Sequence, residues 1–456
     1  MPLGVHALED PDVLYSGNCI VYNIENDTVC YADGEDDRVA PAGTVKIMTA
    51  SIAIEYYHGK YDTPITIQSE WLEDVTGLTA KFRAGETVTA DDAIAALILG
   101  SGNDAAYILA NAIGGSTGDF VKMMNDRAKE LGMKDTVYLN PTGTEQDGTY
   151  TTVKDVLTVT KHAYSLPKYI ELSDSPSVSL DATNMSNIRT IYNRNYFVSN
   201  YYNLNYLERS VMGLNAGMSE SAGWCLSTIG RSDTGLTYIV VVMGARDPAP
   251  VEDEEDGEDK AENTEEKKKE ETEDKYFVSG YEDARTLLNW AYDNFGYFTL
   301  LDTSTMVCEV PVKLSGKLDH VILLPEEKLV SFLPLDTDVD SVVTKEWTLV
   351  SDTLKAPLSQ GQVVGKLKVT LEGEDLGEVN LIARNNVDRS NWLLLIDTVI
   401  TFLTRPLVLI IIILFLTLSF VYAVFAARRL ARKRQIVKYK TNVSPRNRTS
   451  NINRHR

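Results

Sequence analysis

Apolar and polar residues alternate from 14 to 33 about a turn at Asn26-Asp27, the period-two signature of a half-buried β-hairpin. The period then lengthens. Helical patterning runs from Pro41 to Tyr57, from Asp91 to Ile113 and from Ser116 to Leu131. Asp91 and Asp92 sit at a helix start, where a negative charge complements the dipole. Tyr238-Ile239-Val240-Val241-Val242-Met243-Gly244 is a continuous apolar run and predicts a buried central strand. Tyr281 to Phe295 gathers Leu287, Leu288, Trp290 and Ala291 on one side, an amphipathic helix closing the first domain. From Thr305 to Ala383 strands dominate, including 362–369 and 376–382 joined by a Gly-Glu-Asp turn. No repeat is evident.

One apolar stretch is too long for a core element. Pro406 to Ala427 holds 22 residues without a charge. At about 1.5 Å per residue it reaches roughly 33 Å, enough to cross a hydrocarbon core about 30 Å thick. Arg428, Arg429, Arg432, Lys433 and Arg434 follow directly and mark the cytoplasmic side by the positive-inside rule. Trp392 to Leu403 mixes an aromatic start with scattered polar positions, which suits a helix in the membrane interface or the last helix of the body. The expected organisation is a first domain over 12–299 with an acidic insert at 250–275 and a β-rich domain over 300–388. An interfacial segment (391–405), a span (406–427) and a basic tail (428–456) follow.

Charge sharpens this division. The net charge of −21 combines a tail with eleven Lys and Arg and no acid with a body near −32. Such a body repels a nucleic-acid backbone. Glu252 to Asp274 contains fourteen acids and four lysines, too little apolar surface to order itself, and reads as a solvated disordered loop. A body outside the membrane requires export. Val5-His6-Ala7 resembles a small-x-small cleavage site, so the true start is expected further upstream. The four cysteines, Cys19, Cys30, Cys225 and Cys308, form no C-x-x-C pair and have no histidine at ligand spacing, so neither a metal site nor a cofactor motif is expected. Cys19 and Cys30 flank the hairpin turn and read as ordinary strand residues.

Three segments carry the candidate chemistry: Pro41-Ala42-Gly43-Thr44-Val45-Lys46-Ile47-Met48-Thr49, then Gly100-Ser101-Gly102-Asn103-Asp104-Ala105-Ala106, then Gly213-Leu214-Asn215-Ala216-Gly217. In this order, with Asn140-Pro141-Thr142-Gly143 and Ser221-Ala222-Gly223-Trp224 in support, the chain resembles the serine-type D-Ala-D-Ala carboxypeptidases, the low-molecular-mass penicillin-binding proteins. The resemblance implies a mixed α+β, β-lactamase/transpeptidase-like domain, a small β-rich domain and one C-terminal transmembrane helix. It also implies the motifs S-x-x-K, S-x-N and K-T-G.

The physical reason for the first spacing is that a serine at a helix start and a lysine three residues on share a face, so a neutral amine can take the hydroxyl proton. Here Gly43 stands at the nucleophile position, Lys46 matches the base, and Ser101 and Asn103 match S-x-N. Asn215, Ala216 and Gly217 occupy the K-T-G position, where the lysine would attract the substrate carboxylate. Glycine offers nothing to acylate. Thr44 lies about 200° around the helix from Lys46 and cannot simply substitute. Losing a nucleophile that acts with its base costs on the order of 10⁶-fold in rate.

The leading expectation is a catalytically degenerate homologue at a bacterial cytoplasmic membrane that binds the peptidoglycan stem peptide or a wall-synthesis protein without cleaving it. One alternative is a carboxypeptidase that uses a displaced hydroxyl, Thr44 or Ser101. The other is a structural or sensory membrane protein. Lys46 itself reads as a residual polar residue bonded to Ser101 and Asn103. The Tyr- and Asn-rich segment from Tyr192 to Tyr206 reads as the packing of a long loop, with a glycan-stacking surface as the alternative.

Overall fold

The computed structural model describes residues 8–248, 278–351, 353–371 and 373–441, and of 435–441 the backbone alone. The cleavage-like Val5-His6-Ala7, the acidic stretch and the end of the basic tail lie outside the described residues. The chain divides into two compact units at Tyr297/Phe298, with Phe332–Thr337 belonging to the first.

The first unit is organised on a five-stranded antiparallel sheet. The hairpin strands are β1 (Asn18–Asn23) and β2 (Thr28–Asp33); β3 (Val211–Ser219), β4 (Gly223–Arg231) and β5 (Thr237–Ala245) complete it in the order β2-β1-β5-β4-β3. The apolar run is β5, third of five. Its residues divide by parity: Ile239, Val241 and Met243 face the larger, helical core, while Tyr238, Val240 and Val242 face Leu287, Leu288 and Ala291 of a single helix, Ser279–Asn294. A strand covered on both sides has no polar face to present, hence the loss of alternation. Cys30 sits at the β-bulge beside Val21/Tyr22 rather than opposite Cys19, whose partner is Asp33, and both thiols are free.

On the helical side lie α1 (Val45–Tyr56), α2 (Ala90–Ile98), α3 (Asn103–Gly114), α4 (Thr117–Leu131) and α5 (Val153–Tyr164). The helical pattern over Asp91 to Ile113 is carried by two helices, α2 and α3. Gly100 and Gly102 have no room for a side chain, since an added Cβ would stand 2.8 Å from the Ala96 carbonyl and 2.9 Å from the Asp104 carboxylate, and Ser101 turns the backbone at φ 51°. Apolar spacing persists across this break, which is why periodicity alone overlooked it. The acids at the start of α2 do more than oppose a dipole: Thr89 and Asp92 form a reciprocal capping box.

In the second unit, β6 (Cys308–Lys313), β7 (His320–Pro325), β8 (Val343–Leu349), β9 (Leu354–Lys355), β10 (Val363–Leu371) and β11 (Glu374–Ala383) form a six-stranded sheet in the order β8-β10-β11-β7-β6-β9. Leu371 pairs with Glu374, so Glu374 and Asp375, expected in the turn, belong to β11. The helix Asn391–Leu403 follows, its start capped by Ser390, and then a second of 36 residues, Pro406–Thr441. The Pro406–Arg434 part of the latter reaches a mean hydropathy of 3.0 and is long and apolar enough to cross a membrane.

Candidate active-site cleft

A cleft of about 550 Å³ opens in the first unit where α1, α3 and β3 converge. Gly43, Lys46, Ser101, Asn103, Ala216 and Gly217 all line it, so five of the six candidate positions meet, together with Gly43 at the expected nucleophile position. Asn215 does not line it. Its side chain is buried, with an unpartnered Oδ1.

Gly43 lies in a buried 3₁₀ turn, Ala42–Thr44, leading into α1. It is packed directly on Gly217 of β3. A Cβ added to Gly43 would stand 2.8 Å from the Gly217 Cα, and one added to Gly217 would stand 2.5 Å from the Gly43 Cα. Neither contact is sterically tolerable, so helix start and strand approach this closely only because both positions are glycine. Besides a hydroxyl, room for the Cβ that would carry it is missing. Thr44, the neighbouring alternative, donates its hydroxyl to the Pro41 carbonyl at 2.6 Å, is buried and is not among the cleft-lining residues.

Lys46 donates from Nζ to the Thr142 carbonyl at 2.8 Å rather than to Ser101 or Asn103 as expected. The difference has a local cause. Asn140 Oδ1 accepts from Thr142 N and Gly143 N, which fixes the loop that supplies that carbonyl. Burial, with no carboxylate paired to it among the described residues, lowers the Lys46 amine to about 8.

Asn103 opens α3 and is tied to a neighbouring segment. Its Nδ2 donates to the Thr76 carbonyl at 2.6 Å and its backbone N to the Leu78 carbonyl at 2.7 Å, while Oδ1 is buried without a partner. Asp104, next in sequence, accepts from Ala80 N, Phe82 N and Ala105 N at 2.9–3.0 Å. Burial raises its carboxyl, and these donors pull it back. The two side chains thus hold Thr76–Phe82 across the start of α3, and Thr76, Gly77 and Leu78 become part of the cleft wall.

Sequence reasoning missed the far wall. Glu145 accepts from Ser221 N and Oγ at 3.0 and 2.6 Å, and these bonds hold it below the usual carboxylate range. Arg194 and Tyr196 also line the cleft, with Trp224, whose indole donates to Asp247. Trp224 and the Thr142-Gly143 pair lie within segments already singled out. Arg194 and Tyr196 lie in the Tyr- and Asn-rich segment also singled out, but its composition did not place it at the cleft, because only the fold brings the two together.

As a chemical device the cleft holds a buried amine, a half-buried guanidinium, one carboxylate and an aromatic wall, with no side-chain nucleophile beside the amine at position 43. It can bind and orient a small peptide.

Comparison with known proteins agrees with this architecture. A family model described as D-alanyl-D-alanine carboxypeptidase matches residues 6–247, and one described as penicillin-binding protein 5, C-terminal domain, matches 295–389. The chain is 27% identical to the D-alanyl-D-alanine carboxypeptidase DacF of Bacillus subtilis over 388 residues, 84% of this chain and 87% of that protein. It is 25% identical to DacA of Haemophilus influenzae, covering 84% and 90%. Among solved structures, penicillin-binding protein 5 from Haemophilus influenzae superposes with a TM-score of 0.54 at 22% identity, over 84% of this chain and all of that one. A peptidoglycan synthesis regulatory factor, PBP3, from Streptococcus pneumoniae gives 0.54 at 19%, over 82% and 99%.

Proposed function

Since the chain belongs to the D-alanyl-D-alanine carboxypeptidase family, we propose that it works in cell-wall metabolism as a membrane-anchored homologue that binds the peptidoglycan stem peptide without cleaving it. The observation that carries this reading is the contact between Gly43 and Gly217. Acyl transfer needs an oxygen beside a base, and here position 43 carries none and a Cβ added to it would stand 2.8 Å from the Gly217 Cα of β3. Lys46 is a base without a proton to take from position 43. The cleft around it persists, walled by Arg194, Tyr196 and Trp224.

In this reading the acidic body lies outside the membrane, residues 406–427 of the helix Pro406–Arg434 span it and the basic tail is cytoplasmic. The Asn391–Leu403 helix, with Trp392, Leu395, Val399 and Ile400 exposed, lies along the interface.

One observation favours a second reading. Ser101 lines the cleft with Lys46, and an amine lowered to about 8 is neutral in roughly a tenth of molecules at pH 7. A residual carboxypeptidase would therefore use the Ser101 hydroxyl. Both readings are tested on the purified full chain with a fluorescent penicillin and a pentapeptide ending in D-Ala-D-Ala. Binding of the peptide with no covalent label and no release of D-Ala is the expected result. A label or D-Ala release that disappears in Lys46→Ala would overturn it in favour of the Ser101 route.

A further inference from the structure

The segment from Tyr192 to Tyr206 divides into two kinds of aromatic residue. Phe197 and Tyr206 are buried against Tyr281, with ring centroids 4.9 and 5.3 Å away, and do the packing expected of a long loop. Asparagines secure the backbone around them: Asn193 Nδ2 donates to the Ser173 and Ser175 carbonyls at 2.9 and 3.0 Å, and Asn195 Oδ1 accepts from Phe197 N at 3.0 Å. Tyr196 also stacks on Tyr281, at 4.8 Å, whereas Tyr201 and Tyr202 face out. Tyr201 lies flat on Tyr192, centroids 3.6 Å and planes 7° apart, yet is 58% exposed. Tyr202 meets Tyr201 edge-on at 4.9 Å, is 39% exposed and carries the Arg194 guanidinium over its face at 4.4 Å. Arg194 also lines the cleft, so this surface and the cleft are continuous through one side chain.

A patch of stacked phenol rings offers flat apolar faces edged by hydroxyls and a cation. Held by its neighbours before any ligand arrives, it loses little freedom on binding. A pyranose ring is the complementary object, with one face of C–H bonds and a rim of hydroxyl and amide groups. A nucleobase would also stack, but a body near −32 repels its phosphates. Position decides the occupant: a wall stem peptide hangs from an amino sugar, and the patch begins one side chain from the cleft assigned to that peptide. Resting on that reading of the cleft, we propose that Tyr192, Tyr201 and Tyr202 bind an amino-sugar ring of the glycan that carries the peptide.

The test is calorimetric titration of the detergent-solubilised full chain with three probes: a pentapeptide ending in D-Ala-D-Ala, the same peptide on an N-acetylglucosamine–N-acetylmuramic acid disaccharide, and a peptide-free tetrasaccharide of those sugars. The disaccharide-peptide is expected to bind about three- to tenfold tighter than the bare peptide. Tyr201→Ala should erase that margin while leaving bare-peptide affinity unchanged, and Tyr201→Trp should keep it. Equal affinity with and without sugar, or a margin that survives Tyr201→Ala, overturns the proposal. Should the bare peptide fail to bind, the reading of the cleft falls, and the tetrasaccharide then decides the platform on its own. Binding that Tyr201→Ala abolishes supports the platform, and no binding at all overturns it.

Discussion

At the scale of single residues, Lys46 and Gly43 make opposite kinds of prediction. Lys46 is buried and its amine sits near 8 against an ordinary value of about 10.4 in an unfolded chain. The unfolded chain therefore holds the proton more tightly, and the folded state gains stability as pH rises through the window from about 8 to about 10.5. Below that window both states are protonated and the burial penalty is constant. Relative to Lys46→Met, which has no such group, the wild type should gain up to about 3 kcal/mol between pH 7 and pH 10.5. Parallel urea melts of the two proteins measure this, and identical pH trends would show that the amine is hydrated. Gly43→Ser restores the missing hydroxyl but drives Cβ into the strand; it should destabilise by about 1–3 kcal/mol and acquire no penicillin label. A labelled, equally stable Gly43→Ser variant would remove the steric argument. The absence of serine was legible in the sequence, since it is a matter of one letter. The closure against Gly217 was not, because it is a distance between segments that lie far apart along the chain.

At the scale of elements, the start of α3 is the part that shapes the cleft. Asp104 receives three backbone N–H groups, two of them from Thr76–Phe82. Asp104→Ala leaves those donors buried and unpaired, at a cost of roughly 3 kcal/mol, and should release the segment before the rest of the unit unfolds. Limited proteolysis in native buffer would then cut between Thr76 and Phe82 faster than in the wild type, with β1–β5 still protected. Unchanged cutting there would mean that other contacts hold the segment. Hydrophobic pattern located β1, β2, β5, α1 and α4 well, because each is one uninterrupted element: β5, buried on both faces, shows as a continuous apolar run, and α4 keeps a single buried face of Phe120, Met124 and Ala128. It failed between α2 and α3, where the buried face continues across a turn and only the crowding at Gly100 and Gly102 records the break. The missed cleft residues Arg194 and Tyr196 lie in a segment with neither period, positioned by asparagine side chains whose bonds leave no trace in hydrophobicity.

For the whole molecule, the anchor can be separated from the body. Asn391–Leu403 has an apolar surface suited to lying on a membrane, whereas Pro406–Arg434 is long enough to traverse one. The full chain should therefore resist extraction by alkaline carbonate, and a chain ending at Arg405 should be released. Retention of the shortened chain would make the shorter helix an anchor in its own right. The succession of a transpeptidase-like domain, a β-rich domain and an apolar C-terminal helix was readable from the sequence, since pattern and composition change along it, while the lining of the cleft was only partly so. The two glycines facing each other across the cleft floor add a historical consequence. A serine codon reappearing at position 43 would bring a collision before it brought a reaction, and any sequence change that relieved the collision would have no catalytic benefit until the serine was there. On the non-cleaving reading proposed above, gaining a serine nucleophile here thus requires two coordinated steps, neither useful alone, and the loss of hydrolysis would work as an evolutionary ratchet.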